Sequence, residues 1–132
     1  MTRALPACMC AAALASVLFA GCEGGEKRRG SVSFHAKGVR RNIQRVRDQI
    51  PRTDNPYAME AATDALYRAL EGLPKRVVKN GGEGVEAREA KAEEALAFFQ
   101  ELRKMLEAPD YDPDQANAKL DELAEIIDQV EQ

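Results

Sequence analysis

Tryptophan is absent from this chain, and the remaining aromatics are three Tyr and four Phe among 132 residues. Sequence-tolerant binding of nucleic acid uses aromatic rings interleaved with basic residues, so that bases have faces to stack on. Between residues 37 and 47, where five basic residues fall close together, there is no ring at all, and no nucleic-acid partner is expected. Histidine occurs once, as His35. A di-iron bundle takes a Glu-x-x-His from each of two helices, which one histidine cannot supply. The C-x-x-C-H run that attaches c-type haem is missing. Ser31 and Ser33 flank His35, but no strand and glycine elbow is present to raise either as a nucleophile. The glycine-rich turn Gly81-Gly82-Glu83-Gly84 lacks the Lys-Ser/Thr that completes a phosphate-binding loop. These absences leave no catalytic residue and no resident cofactor to expect. Strand-like alternation of apolar and polar residues is also missing throughout.

What is present begins with residues 4–20, a run of about 17 residues without a charge, preceded only by Arg3 and closed by Ala20 and Gly21 before Cys22. That layout is the three-part pattern of an export signal. The run sits at the lower limit of the roughly 17–25 residues of a membrane-spanning helix and contains Pro6, so a cleaved signal is favoured over a lasting span. Leu18, Phe19, Ala20, Gly21 and Cys22 resemble the lipobox of bacterial lipoproteins. The resemblance implies cleavage before Cys22, a diacylglycerol thioether on its sulfur and acylation of the new amino terminus. It covers residues 1–22 alone and carries nothing about the fold that follows. The other reading is an ordinary signal peptide with an incidental cysteine.

Cysteine usage accords with lipidation. Cys8 and Cys10 form a C-x-C that could suggest metal, but both lie in the segment to be removed. Cys22 is then the one thiol of the mature chain, which excludes an internal disulfide even in an oxidising compartment. Several acyl chains hold a protein firmly at a bilayer where a single chain does not. Residues 22–32 read as a lipidated tether, in which Lys27, Arg28 and Arg29 either meet anionic headgroups or are simply solvated.

Residues 33–132 suffice for one domain with one core. Ala, Leu, Glu, Lys and Arg dominate, and the apolar residues recur at helical spacing. Val39, Ile43, Val46 and Ile50 predict a first helix over 33–50 with basic residues around the stripe. Asn55-Pro56 is a helix start, since Asn accepts an orphan amide bond and Pro lacks the amide that would need a partner. Met59, Ala62, Leu66, Ala69, Leu70 and Leu73 follow as a second stripe, which Pro74 is expected to kink or end, with one further turn available before the glycines. Ala92, Ala95, Leu96, Phe99, Leu102 and Leu106 predict a third helix over 84–108, with Phe98 and Met105 broadening its apolar side. Ala116, Leu120, Leu123, Ile127 and Val130 predict a fourth over 113–130. Four amphipathic helices with short connections imply an all-α, antiparallel up-and-down four-helix bundle.

Charge is unevenly distributed. Residues 23–52 hold nine basic and three acidic side chains, whereas residues 82–132 hold five basic and fifteen acidic. First and last helices are neighbours in such a bundle, so the two signs should face each other. Alternatively Lys27, Arg28, Arg29, Lys37, Arg40 and Arg41 contact an anionic surface, and the acidic pair meets a cationic partner. Asp110, Asp112 and Asp114 alternate as in a calcium loop, but Gln115 stands where that loop needs Gly and Pro113 is rigid. A capping box, with Asp112 as the cap and Gln115 reaching back, is the better reading, and no metal site is expected.

At the level of architecture alone, the mature part resembles the four-helix b-type and c-prime cytochromes of the bacterial periplasm. An axial His-Met pair would need both residues at one end, and the up-down order puts His35 opposite Met59 and Met105. His35 is instead expected to be exposed or capping. The expectation is therefore an exported lipoprotein anchored to the envelope membrane through Cys22, facing the periplasm or exterior, which acts by binding, with an envelope protein as a further partner. A ligand- or redox-carrying bundle is the alternative.

Overall fold

Each apolar stripe can leave water only against another, because helices of this length are marginal alone and take most of their stability from tertiary packing. The computed structural model describes residues 31–52 and 54–132, and its four helices are α1 (Val32–Gln49), α2 (Pro56–Asn80), α3 (Val85–Glu107) and α4 (Pro113–Glu131). Each packs on its neighbour in sequence, and α4 returns to α1, which makes the all-α four-helix bundle. Val32–Gln132 form one compact unit of their own. No strand occurs among the described residues. The lipobox, Cys22 and the basic residues Lys27, Arg28 and Arg29 lie outside them.

The core is the sum of four stripes. In α1, Val32, Ala36, Val39, Ile43 and Val46 are buried at alternating spacings of four and three, and Ile50 continues the pattern into the next turn. Val32 was expected in the tether but is the first core residue. Leu66, Leu70, Leu73 and Val77 from α2, Phe99 and Leu102 from α3, and Leu120, Leu123, Ile127 and Val130 from α4 complete the centre. Ala69 and Leu96 are half-buried at stripe edges, with Met59, Phe98 and Met105 likewise packed against the core.

Helix ends follow their local chemistry. The Asn55 side chain accepts from the Ala58 amide at 3.3 Å, with Pro56 opening α2. Asp112 caps α4 by accepting from the Asp114 amide at 2.9 Å. This bond reaches the second residue of the helix, so the expected reciprocal box with Gln115 is replaced by a simple aspartate cap. Helix α2 does not end at Pro74. It runs six residues further and buries Val77 completely. Proline removes one backbone hydrogen bond, and continued burial of the stripe offsets that loss.

Glycine terminates α2 instead. Gly81, Gly82 and Gly84 have φ of 61°, 93° and 71°, a region that side chains disfavour. Arg88, one turn into α3, folds back and donates to the Gly81 and Glu83 carbonyls at 2.8 and 3.3 Å, so the connection is held by its own following helix.

Leu123 is fully buried at the centre of α4. Leu123→Ala should cost about 2–5 kcal/mol by leaving a cavity and lower the thermal midpoint by more than about 10 °C. Leu123→Asp, which buries a charge without a partner, should abolish the cooperative transition altogether. Circular dichroism melts check both, and an unchanged melt for Leu123→Asp would place the wrong face inside.

Candidate functional site

The contact between α1 and α4 joins the two signs of charge. Arg40 of α1 binds two carboxylates of α4, Asp128 and Glu131. Two turns further along, Arg47 reaches Asp121 at 2.6 Å and Asn117 at 3.4 Å. Positions 40 and 47 are one heptad apart, so the same flank of α1 is used twice. Partial burial of Arg40 works against its charge, and the two carboxylates more than offset it, raising the guanidinium pKa above its already high ordinary value. The face-to-face pairing expected of a basic first helix and an acidic last helix is thus made.

Pairing divides the basic residues named from the sequence. Arg40 is committed to α4, whereas Lys37 and Arg41 stand exposed on α1, as does Arg45. Residues 32–45 contain no acidic side chain, and neither do residues 72–80, the final part of α2. Because α1 and α2 are adjacent and antiparallel, the start of α1 and residues 72–80 lie at the same end of the bundle, and residues 32–45 continue from there along most of α1.

His35 belongs to that end and corrects the expectation of an exposed or capping residue. It is half-buried in the first turns of α1, with its ring edge-to-face against Phe34 at 5.8 Å between centroids. Nε2 is buried without a hydrogen-bond partner among the described residues. Burial first, and the charge of Arg76 from α2 second, hold its pKa below the ordinary imidazole value. The Arg76 contribution shows the start of α1 against the end of α2.

At the opposite end, the connections 50–55 and 108–112 approach each other, and the Tyr111 hydroxyl donates to the Ile50 carbonyl at 3.3 Å. A cleft of about 500 Å3 opens beside them, lined among others by Arg52, Met59, Thr63, Arg103, Leu106 and Tyr111. Its volume suits a small molecule, and its polar lining is partly engaged, with Arg52, Glu60 and Glu107 exposed and Arg103, Thr63 and Tyr111 already bonded. Arg103 pairs with Asp64 and lies 5.8 Å from the centre of the Tyr67 ring. Thr63, the buried polar residue of the core, donates to the Glu60 carbonyl at 2.9 Å. Met59 lines this cleft while His35 is at the other end, so the two are not brought together.

Among the described residues, no group of three His, Cys, Asp or Glu side chains is placed to hold a metal ion; Asp112 caps α4 and Asp114 lies in its first turn. No described helix is long and apolar enough to cross a membrane. No family model matches the chain, and neither a curated protein nor a solved structure matches it. Sequence reading missed Arg88, Tyr111 and the Arg103–Asp64 pair. Tyr111 and the Arg103–Asp64 pair act across distant segments, and Arg88 acts on the loop just before its own helix, but nothing in the local sequence distinguishes these residues from other arginines and tyrosines.

Two outcomes follow from this geometry. An Arg40→Gln/Asp128→Asn double-mutant cycle should give a coupling of about 0.5–1 kcal/mol at low ionic strength that shrinks in 0.5 M salt, measured by urea unfolding, because both groups are partly solvated. For His35, the folded pKa lies below the unfolded value of about 6.5, so the unfolded chain takes up the proton first as pH falls. The stability contributed by the neutral ring is present above that value and is lost below it. The midpoint of the wild type should therefore drop more than that of His35→Gln between pH 7.5 and 5.5, and parallel profiles would contradict the assignment.

Proposed function

We propose that this is an exported lipoprotein, lipidated at Cys22, whose helical bundle acts as a binding or structural module at a bacterial cell-envelope membrane. The observation that carries the reading is the sequence Leu18-Phe19-Ala20-Gly21-Cys22 closing an uncharged run of about 17 residues. Two features support it. The bundle forms a compact unit from Val32 onward, which leaves the preceding residues for signal and tether. Among the described residues its fully buried side chains are apolar apart from Thr63, with His35 half-buried at one end, which favours the surface as the place for its activity.

The cleft beside Tyr111 favours a second reading, in which the bundle carries a small ligand. Its dimensions allow this, and Arg52, Glu60 and Glu107 are available in its lining, but these three are exposed to water, and Arg103 and Thr63 are already bonded.

Replacing Cys22 by Ser tests the principal reading. In the host, the wild type should fractionate with membranes, incorporate labelled palmitate and give an intact mass for a chain that begins at Cys22 with acyl additions. The variant should lose the label and leave the membrane fraction or accumulate uncleaved. Membrane retention and lipid labelling unchanged by Cys22→Ser would overturn the proposal. An absorption band in the visible, or an unexplained bound mass, would promote the carrier reading instead.

A further inference from the structure

The side of the bundle formed by α1 and the last turns of α2 combines basic charge with exposed apolar side chains. Residues 32–45 and 72–80 together contain seven basic residues and no acidic one. Arg40 is taken by α4 and Arg76 is half-buried beside His35, while Lys37, Arg41, Arg45, Lys75 and Lys79 remain exposed. Phe34 and Val78, 47% and 50% exposed, lie where the start of α1 meets the end of α2 and are two of the three exposed large hydrophobics among the described residues. His35, whose pKa is lowered, adds no charge at neutral pH. The sides of the bundle differ accordingly, because the acid-rich helices α3 and α4 form the edge opposite α1 and α2.

We infer that the outward face of α1 and the last turns of α2 form a docking surface for an anionic phospholipid bilayer. The inference deepens the tethered reading by naming what the bundle rests on. Charge complementarity is the first argument: basic residues near an anionic leaflet each strengthen binding by roughly fivefold, and exposed aromatic and aliphatic groups at the rim enter the interfacial region. Chain length is the second. Nine residues lie between Cys22 and Val32, ten steps of chain that span at most about 35 Å when fully extended, and α1 with its 18 residues is about 27 Å long. A tether of that reach lets α1 lie along the surface to which Cys22 is attached. It also holds the face at an effective concentration in the millimolar range, where a weak surface is sufficient. The opposite, acidic edge is repelled by the same leaflet, so the face sets one orientation.

The test uses residues 31–132, the compact bundle without Cys22, so its outcome does not depend on lipidation. Binding to sedimented vesicles of phosphatidylcholine with 40% phosphatidylglycerol is compared with binding to pure phosphatidylcholine. The bundle should bind the anionic vesicles at 50 mM salt and lose at least tenfold in affinity at 500 mM. Lys37→Glu/Arg41→Glu/Lys75→Glu should lower affinity by tenfold or more with an unchanged circular dichroism melt. Lys91→Glu/Lys104→Glu/Lys119→Glu, the same change of net charge on α3 and α4, should have less than a threefold effect. Phe34→Ser should weaken vesicle binding and leave retention on a heparin column unaltered, which separates a bilayer from a soluble polyanion. Absence of binding, equal binding to neutral vesicles, or equal losses from the two charge-reversal sets would each overturn the docking face while leaving the Cys22 reading to its own experiment. An equal loss of heparin retention by Phe34→Ser would likewise overturn the bilayer as occupant.

Discussion

The structure depends on closing α1 against α4. Three of the four lateral contacts in the bundle join helices linked by short connections, and chain connectivity alone keeps those partners together. Helices α1 and α4 have no such link, and their contact must be found across most of the domain at the cost of loop closure. Apolar burial supplies most of the attraction, because without α4 the stripe of Val39, Ile43 and Val46 would have one wall missing. It does so without direction, however, and α1 has equally good apolar contacts to offer any helix. Arg40 and Arg47, each bound to carboxylates on α4, specify which helix closes the ring and in which register. Each pair is weak in energy, as solvated pairs are. Their contribution is to the choice among alternatives, since the other neighbour, α2, offers no comparable acidic flank.

Most of this was legible in the sequence because burial and spacing are local quantities. Every residue of the α4 stripe named from its spacings of four, three, four and three is buried, and the caps at Asn55 and Asp112 sit where residue chemistry puts them. The failures share a cause. Pro74 weakens a helix locally, but the helix continues because Val77 falls four residues after Leu73 and has a core waiting for it. Val32 looked like tether because its polar neighbours resemble the preceding linker. Its burial is decided by what α2 and α4 bring beside it. His35 looked exposed or capping for the same reason, but its pKa is depressed first by burial and second by the charge of Arg76, 41 residues away in sequence. Arg88 and Tyr111 act through carbonyls of distant or preceding segments, which no spacing rule reveals.

The candidate surface was legible in part. Basic charge on the first helix is visible in the sequence, but its division is not. Pairing removes Arg40 and Arg47 from the accessible set and leaves Lys37, Arg41 and Arg45 on the flank that faces away from α4. The end of α2, which contains Lys75 and Lys79 and follows a proline, became part of the same region only because α2 continues past Pro74. A helix ending at Leu73 would have left those lysines in an irregular loop. The override of a local breaker by core burial therefore has a consequence at the surface as well as in the interior.

An interior of this kind constrains what the protein can do. Chemistry in a bundle core requires polar groups that converge and tolerate burial, and each such group costs free energy unless it is paired. Here the core residues are apolar, the buried threonine satisfies itself on its own helix, and of the charges that line the cleft near Tyr111, Arg103 is engaged with Asp64 while Arg52, Glu60 and Glu107 stand exposed. Such a molecule offers partners a rigid shape and a fixed pattern of charge. A rigid charged face binds weakly, because solvated charges give little net energy and salt screens them. Attachment beside the binding surface changes that balance without any new contact, since it replaces a bimolecular encounter by an intramolecular one. In the proposed reading the lipobox-like segment and the basic face of α1 and the end of α2 would be complementary on physical grounds: the first would supply proximity without orientation, and the second orientation without the affinity to act alone.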